Sequence, residues 1–297
     1  MLFGPRKLLG IGLYFIGIGF WVIVLLWLSV WGLLILLPSL LLAFCAGYLT
    51  NFFGRTQEWP AFKRFWLWET ARQQYFNFTL HGSDDGLQLM QRAMGKEGGL
   101  QKGEKVLWAI YPHGHYSMTA VFWWAVNPAF QRCRGAIHSA IFYVPVFGAI
   151  AGWMGATSVT EADMKSTLAS GTSIFMCPGG VKDIENTGNK IKKRRGFIRV
   201  AAETNTTLVP VWCPEERSYY RHWLPLGFSL ERYLFFPVPM FIWGRWWCPI
   251  VPQRPKESRI YVGTPIRFPA ATLQDAEDMF WKQMEALQRE ADSKKIN

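Results

Sequence analysis

The residues from Leu8 to Gly54 carry no charge, and no other feature restricts the fold of this chain as strongly. One membrane-spanning helix needs about 20 apolar residues, so the block is long enough for two short spans. Gly32, Pro38 and Ser39 are places for it to turn or kink. It is several times longer than the apolar region of a signal peptide, about 7–15 residues. Arg6 and Lys7 precede it; Arg55, Lys63 and Arg64 follow it. Positive flanks stay in the cytosol, which calls for an even number of crossings or none. A membrane hairpin over residues 1–54 satisfies this, and a single tilted helix with a buried continuation is the alternative.

The rest of the chain suits life at a lipid surface. The whole sequence holds 16 Trp and 22 Phe, with a net charge of +11. Such an excess attracts anions. A chain held at a bilayer meets anionic head groups or a phosphate-bearing small molecule there, and nucleic acid is not expected as a partner. Cys45, Cys133, Cys177, Cys213 and Cys248 are far apart without CxxC spacing. They read as reduced thiols, with neither a zinc site nor a disulfide framework.

Residues 55–103 read as an interfacial connecting segment, because Trp59, Phe62, Phe65, Trp66 and Trp68 crowd beside Lys63 and Arg64. Residues 104–297 read as a cytosolic α/β domain with a largely parallel sheet. Its expected strands are 106–110, 135–140, 157–160, 173–177, 207–212 and 259–262. Its expected helices are 116–126, 161–170, 196–204 and 272–293. The last presents Ala276, Met279, Phe280, Met284 and Leu287 at helical spacing, which is core packing. Phe235–Ile250, with Trp243, Trp246 and Trp247, is a second aromatic patch. Pro237, Pro239 and Arg245 argue against a span there and for an interfacial anchor or the wall of a lipid tunnel.

Chemistry concentrates at four places. The apolar run Val106–Tyr111 breaks at Pro112-His113-Gly114-His115. A histidine at the mouth of a buried strand is rigidly held, and its ordinary pKa of about 6.5 suits proton transfer near neutrality. Cys177-Pro178-Gly179-Gly180 follows another strand, with Asp183 and Glu185 beyond; the glycines let a ligand approach the backbone, and the acids orient an imidazole or bind a hydroxyl. Lys190–Phe197 is a dense basic cluster leading into a helix, attractive to phosphates or to a membrane surface. Glu215 and Glu216, after the strand at 207–212, read as an ordinary loop.

Taken in order, these segments resemble the type-2 diacylglycerol acyltransferase family, which includes monoacylglycerol and wax-alcohol acyltransferases. Pro112-His113-Gly114 is similar to the family's (His/Tyr)-Pro-His-Gly signature, with Tyr111 in the variable place. The stretch from Arg134 to Gly155 resembles the family's next segment. Gly179-Gly180 and Lys193-Arg194-Arg195-Gly196-Phe197 are similar to its Gly-Gly-x-x-Glu and Arg-Lys-Gly-Phe blocks. Leu208-Val209-Pro210-Val211 and Val262-Gly263-Thr264-Pro265-Ile266 continue the order. Asp183 stands where the family usually has Glu, with Glu185 as a substitute. Related glycerolipid-phosphate acyltransferases carry His-x4-Asp, but Met118 is the fifth residue after His113. Their phosphate-holding Pro-Glu-Gly-Thr-Arg motif is also missing from Pro178–Lys182, which favours an acceptor without phosphate.

The resemblance implies an acyltransferase-type mixed sheet flanked by helices, in a protein of the endoplasmic reticulum and lipid-droplet surface with its catalytic domain facing the cytosol. It implies acyl transfer from acyl-CoA, a co-substrate, to a neutral glycerolipid or long-chain alcohol. Diacylglycerol, giving triacylglycerol, is the first expectation; monoacylglycerol or wax alcohol is the alternative. His113 would be the general base, with the backbone N–H of Gly114 or His115 at the start of the next helix stabilising the oxyanion. His115, Asp183 and Glu185 would support it. Pro112, Gly114, Gly179 and Gly180 would shape the site, while Lys192, Lys193, Arg194 and Arg195 would hold the CoA phosphates. No metal and no further cofactor are expected, and a homo-oligomer is compatible with the reading. Two other classes stay in view. One is a metal-dependent hydrolase using His113 and His115, for which only His81, His138 and His222 remain as histidine ligands. The other is a non-enzymatic tether on lipid stores.

Overall fold

The computed structural model describes residues 58–130, 132–143, 147–180, 194–223, 241–248, 251–268 and 272–294, with scattered helical positions between 26 and 45. The strands are β1 Phe78–Gly82, β2 Val106–Tyr111, β3 Cys133–Ile137, β4 Thr157–Ser158, β5 Ser173–Met176, β6 Thr207–Trp212, β7 Arg221–Trp223, β8 Phe241–Trp243 and β9 Ser258–Val262. The α-helices are α1 Pro60–Lys63, α2 Trp66–Thr70, α3 Asp84–Ala93, α4 Phe147–Trp153, α5 Glu161–Ala169, α6 Gly196–Glu203 and α7 Leu273–Ser293. Wider π-helical turns continue α2 through Ala71–Phe76 and form Ala120–Ala125.

Seven strands form one sheet in the order β1-β9-β6-β2-β5-β3-β4. β4, β3, β5, β2 and β6 run parallel; β9 is antiparallel to β6, and β1 runs parallel to β9. The fold is therefore mixed α/β with a largely parallel sheet, as the alternation of strand and helix patterns indicates.

β2 is the central strand, and all six of its residues are buried. Side chains alternate along a strand, so it feeds two cores. Leu107, Ala109 and Tyr111 pack with α6 and α7 on one face. Val106, Trp108 and Ile110 pack with α3 and the Ala120–Ala125 turn on the other. A strand covered on both sides reads as an unbroken apolar run, which is why it stands out in the sequence.

Side-chain caps start the longer helices. Ser83 accepts the Gly86 N–H at the head of α3, and Thr272 accepts the Asp275 N–H at the head of α7. Along α7, Ala276, Phe280, Met284 and Leu287 are buried, but Met279 is 44% exposed. Trp281 takes its place in the core.

The structure redraws the 55–103 segment. β1 pairs with β9 from Phe78↔Ser258 to Gly82↔Val262, and Leu89 and Met90 of α3 are buried in the second core. Part of that segment belongs to the sheet it was expected only to connect. Lys63, expected at the lipid interface, is 6% exposed and pairs with Glu58 at 2.7 Å.

No helix among the described residues is long and apolar enough to cross a membrane. Most of the 1–54 hairpin expectation lies outside the described residues. The described positions there are helical, and Leu26, Trp27, Leu33, Leu34, Leu37 and Leu41 are exposed.

Candidate active site

Parallel strands bring their carboxyl ends to one edge of a sheet, where the following loops meet. β2 ends there at Pro112-His113-Gly114, β6 at Cys213–Glu216 and β5 at Cys177–Gly180. The Cys213 N–H donates to the Tyr111 carbonyl at 2.7 Å, extending the β2–β6 ladder to the mouth. The Cys213 thiol is pushed well above its ordinary pKa by burial, and further by Glu216 and Cys177 beside it. Chain segments distant in sequence thus share a single space.

His113 is half-buried, and its Nδ1 lies 2.7 Å from the Gly114 carbonyl oxygen. A carbonyl only accepts, so Nδ1 carries the hydrogen, and in the neutral ring the lone pair sits on Nε2. The Ser117 hydroxyl donates to the His113 carbonyl at 2.8 Å and closes the loop. Gly114 has φ +62, the left-handed region natural to glycine. His115 lies edge-on to Tyr220, ring centroids 6.3 Å apart, with both ring nitrogens shielded from solvent.

Glu216 holds this loop from behind. It is 2% exposed, and its carboxylate accepts the N–H groups of Met118 at 2.6 Å and Thr119 at 2.8 Å. These amides open the helical stretch after the histidine, so neither is available to a reacting group. Burial pushes the carboxyl up to about 7, against the pull of its hydrogen bonds to Thr119 and Met118. Behind it, the Thr119 hydroxyl stands 3.5 Å from the Tyr219 hydroxyl, which donates to Ser258 at 2.8 Å.

Glu215 turns the other way. It accepts the Arg259 backbone N–H and Nε, each at 2.9 Å, tying the end of β6 to β9. The short 3₁₀ turn Pro214–Ser218 separates the adjacent acids. Both had read as loop residues, and nothing in the sequence says which faces the histidine. The available signal was their position: two acids just past a buried strand.

At the end of β5, Pro178 and Gly179 are buried and Gly180 has φ +59. A Cβ at Gly180 would lie 3.7 Å from an Arg194 guanidinium nitrogen, so the glycine turn and the basic cluster meet in space. Arg194 is exposed and makes no ion pair among the described residues. Arg195 is committed to Glu277 on α7 at 2.9 Å. Asp183, Glu185, Lys192 and Lys193 lie outside the described residues. A groove of about 400 Å³ lies at the β3–β4 end of the sheet, lined by Arg134, Ser139, Thr157 and Asp163 among others, and does not include His113.

A family model described as diacylglycerol acyltransferase matches residues 55–289, most of the chain. The chain belongs to the diacylglycerol acyltransferase family. This family member is an O-acyltransferase, and membership implies acyl-CoA and a lipid acceptor as its substrates. Among solved structures it is distantly similar to the 1-acyl-sn-glycerophosphate (LPA) acyltransferase PlsC from Thermotoga maritima. The two share 11% identity and a TM-score of 0.43, over 77% of this chain and 78% of that one.

In this acyltransferase the fifth residue after His113 is Met118. Met118 gives its backbone N–H to Glu216, while the imidazole is oriented by the carbonyl of its own neighbour. His81 stacks on Tyr261 in the β1–β9 ladder, and His138 accepts the Ala140 N–H. Among the described residues no three His, Cys, Asp or Glu side chains come together as a metal site would require. All five cysteines are free thiols.

Proposed function

We propose that this chain is a membrane-bound acyltransferase that transfers a fatty acyl group from acyl-CoA to the hydroxyl of a neutral lipid, with His113 as general base. Diacylglycerol, yielding triacylglycerol, is the favoured acceptor; monoacylglycerol and long-chain alcohols are the alternatives. The observation that carries the reading is the 2.7 Å contact from His113 Nδ1 to the Gly114 carbonyl. It leaves Nε2 as the basic nitrogen at the mouth of the central strand.

The reaction needs one base and one oxyanion donor. Nε2 accepts the acceptor's hydroxyl proton as oxygen bonds to the thioester carbonyl carbon. The C–S bond then breaks, and the CoA thiolate recovers that proton from the imidazolium. A positioned base is worth about 10²–10⁴ in rate. With the Met118 and Thr119 amides occupied by Glu216, the Gly114 or His115 N–H takes the tetrahedral oxyanion. Arg194, beside Gly180, binds a CoA phosphate together with Lys192 and Lys193, and Arg195 supports the cluster through Glu277. Asp183 and Glu185 are assigned to the acceptor hydroxyl. An acceptor without phosphate is favoured, because Pro178–Lys182 lacks the Pro-Glu-Gly-Thr-Arg arrangement of the phosphate-acceptor relatives. The hairpin over residues 1–54 would keep the enzyme in the endoplasmic reticulum or at a lipid droplet.

The test is acyl transfer on membranes carrying the chain, with labelled oleoyl-CoA and diacylglycerol, monoacylglycerol, a long-chain alcohol or lysophosphatidate in parallel. A neutral ester made by the wild type and lost in His113→Ala supports the proposal and names the acceptor. Full activity in His113→Ala removes the histidine from this role, and lysophosphatidate as sole acceptor overturns the neutral-lipid reading.

A further inference from the structure

The turn Arg245–Trp247, which follows β8, presents its aromatic side chains outward. Trp246 is 73% exposed and Trp247 79% exposed. Both have left-handed backbones, with φ +53 and +60, a conformation that bulky side chains seldom adopt. Strain of this kind persists only where surrounding contacts over-determine it, and here they do. The Gly244 N–H donates to the Cys248 carbonyl and the Arg245 N–H to the Val251 carbonyl; Gln253 clasps the Gly244 carbonyl through Nε2 and donates its own N–H to Tyr219. The two indoles are held out on a braced turn, where water is a poor solvent for them.

A second aromatic edge lies on a neighbouring element. Phe65 is 45% exposed and Trp66 67% exposed, at the head of α2. The π-helical turn continuing α2 is fastened to the segment after the Trp246 turn. The Tyr75 hydroxyl donates to the Pro252 carbonyl at 2.5 Å, and Arg254 donates to the Gln74 carbonyl at 2.9 Å. Between these elements lies a small core of Phe76, Tyr219 and Tyr220. Tyr116 and Met118 of the histidine loop pack on it, as does Ile242 of β8. β8, which leads into the Trp246 turn, and the helical stretch that begins at Trp66 therefore share a small core with the loop that carries His113.

We propose that Trp246 and Trp247, together with Phe65 and Trp66, form a second contact with a phospholipid bilayer, separate from the 1–54 hairpin, which seats the mouth of the His113 site at head-group depth. Three features select a bilayer as the occupant. Indoles concentrate at the head-group level, where an apolar body and a polar N–H are both accommodated. Cations flank these rings: Arg245 lies 4.3 Å over the Trp246 ring, Arg254 follows the turn and donates to the Gln74 carbonyl, and Arg64 precedes Phe65, so anionic head groups meet positive charge. The chain also reaches this surface soon after leaving the uncharged block that ends at Gly54. Such a seat lets a lipid acceptor move from bilayer to site without crossing water. The contact itself does not depend on which acceptor is used.

The experiment uses the full chain in phosphatidylcholine–phosphatidylserine vesicles. Wild type is compared with a Trp246→Phe/Trp247→Phe variant, a change that keeps ring and backbone demands nearly constant. Subtracting the two emission spectra isolates the indole pair. If the pair lies in the bilayer, its emission is blue-shifted, falls when the acyl chains carry bromine, and resists aqueous iodide. Quenching by iodide but not by brominated chains would place the pair in water and overturn the proposal. Quenching by neither would place it in a protein contact, such as a second copy of this chain, and would overturn it equally. A Trp66→Phe variant reads the other edge in the same way. No turnover is involved, so an error in the proposed reaction and an error in this surface give distinguishable results.

Discussion

The carboxylate of Glu216 lies directly against the Cα of Gly114. A methyl group there would stand 2.6 Å from Oε1 and 2.7 Å from Cγ of the glutamate. The left-handed φ of +62 would strain any side chain at that position as well. Gly114→Ala is therefore expected to displace the loop that orients His113. Misplacement of a reacting group by about 1 Å costs roughly 10² in rate, so kcat for acyl transfer should fall by about that factor while the protein still folds. Unchanged kcat would show that the Gly114–Glu216 contact does not position the histidine.

Glu216 predicts a pH signature. Its native pKa of about 7 stands above the glutamate value of 4.5. The folded chain thus keeps this proton where the unfolded chain has lost it. The associated stability is complete below about pH 4.5 and is lost as pH rises through about 7. Denaturation of wild type should show this downward slope, and Glu216→Gln should lack it. Activity responds in the opposite sense, because the ionised carboxylate is the form that accepts both amides. Wild-type turnover should gain from raising the pH through about 7. Glu216→Gln should lose that component, since its Nε2 cannot accept an N–H.

Glu215 supplies the control. Its contacts are with Arg259, including an ion pair at 2.7 Å, and both side chains are largely buried. Hydrogen bonds to charged groups contribute about 1.5–3 kcal/mol, so Glu215→Gln should lower stability by up to that amount. The pH profile of kcat should keep its wild-type shape. A profile altered as in Glu216→Gln would mean that the two acids act together.

Arg194 and Gly180 should separate acyl-CoA binding from chemistry. Removing a charge-assisted contact to phosphate is worth about 10- to 100-fold in affinity. Arg194→Ala should accordingly raise KM for acyl-CoA, with little change in kcat or in KM for the lipid. Gly180→Ala has room for its methyl, at 3.7 Å from Arg194, but must adopt φ +59. It should show the same pattern more weakly. An effect confined to the lipid KM would assign this corner of the site to the acceptor instead.

Much of this was legible along the chain. β2, β5 and β6 are short, apolar runs because they are buried within a largely parallel sheet, and each is followed within two residues by a proline, at Pro112, Pro178 and Pro214. The helices α5, α6 and α7 carry their caps or periodicity in plain view. β1 was not legible: Phe78–Gly82 is a half-buried edge strand whose partner, β9, lies some 180 residues onward at Ser258–Val262. An edge strand of mixed polarity has little local signal, and the preceding aromatic residues suggested a surface segment. Met279 followed the helical period yet faces outward, because the neighbouring Trp281 fills the core beside Tyr111 and Phe280.

By itself the sequence determined the alternation of strands and helices, the placing of a histidine at the mouth of a buried strand, and the order of motifs that marks the family. These depend on local periodicity and residue type. Tertiary structure alone decided what touches that histidine loop. Glu216 reaches it from a segment nearly a hundred residues away because β6 pairs with β2 in register, Tyr111 opposite Trp212. The 3₁₀ turn then points one of two adjacent glutamates inward and the other toward Arg259. Strand register and turn geometry are properties of the packed chain, and no local pattern encodes them.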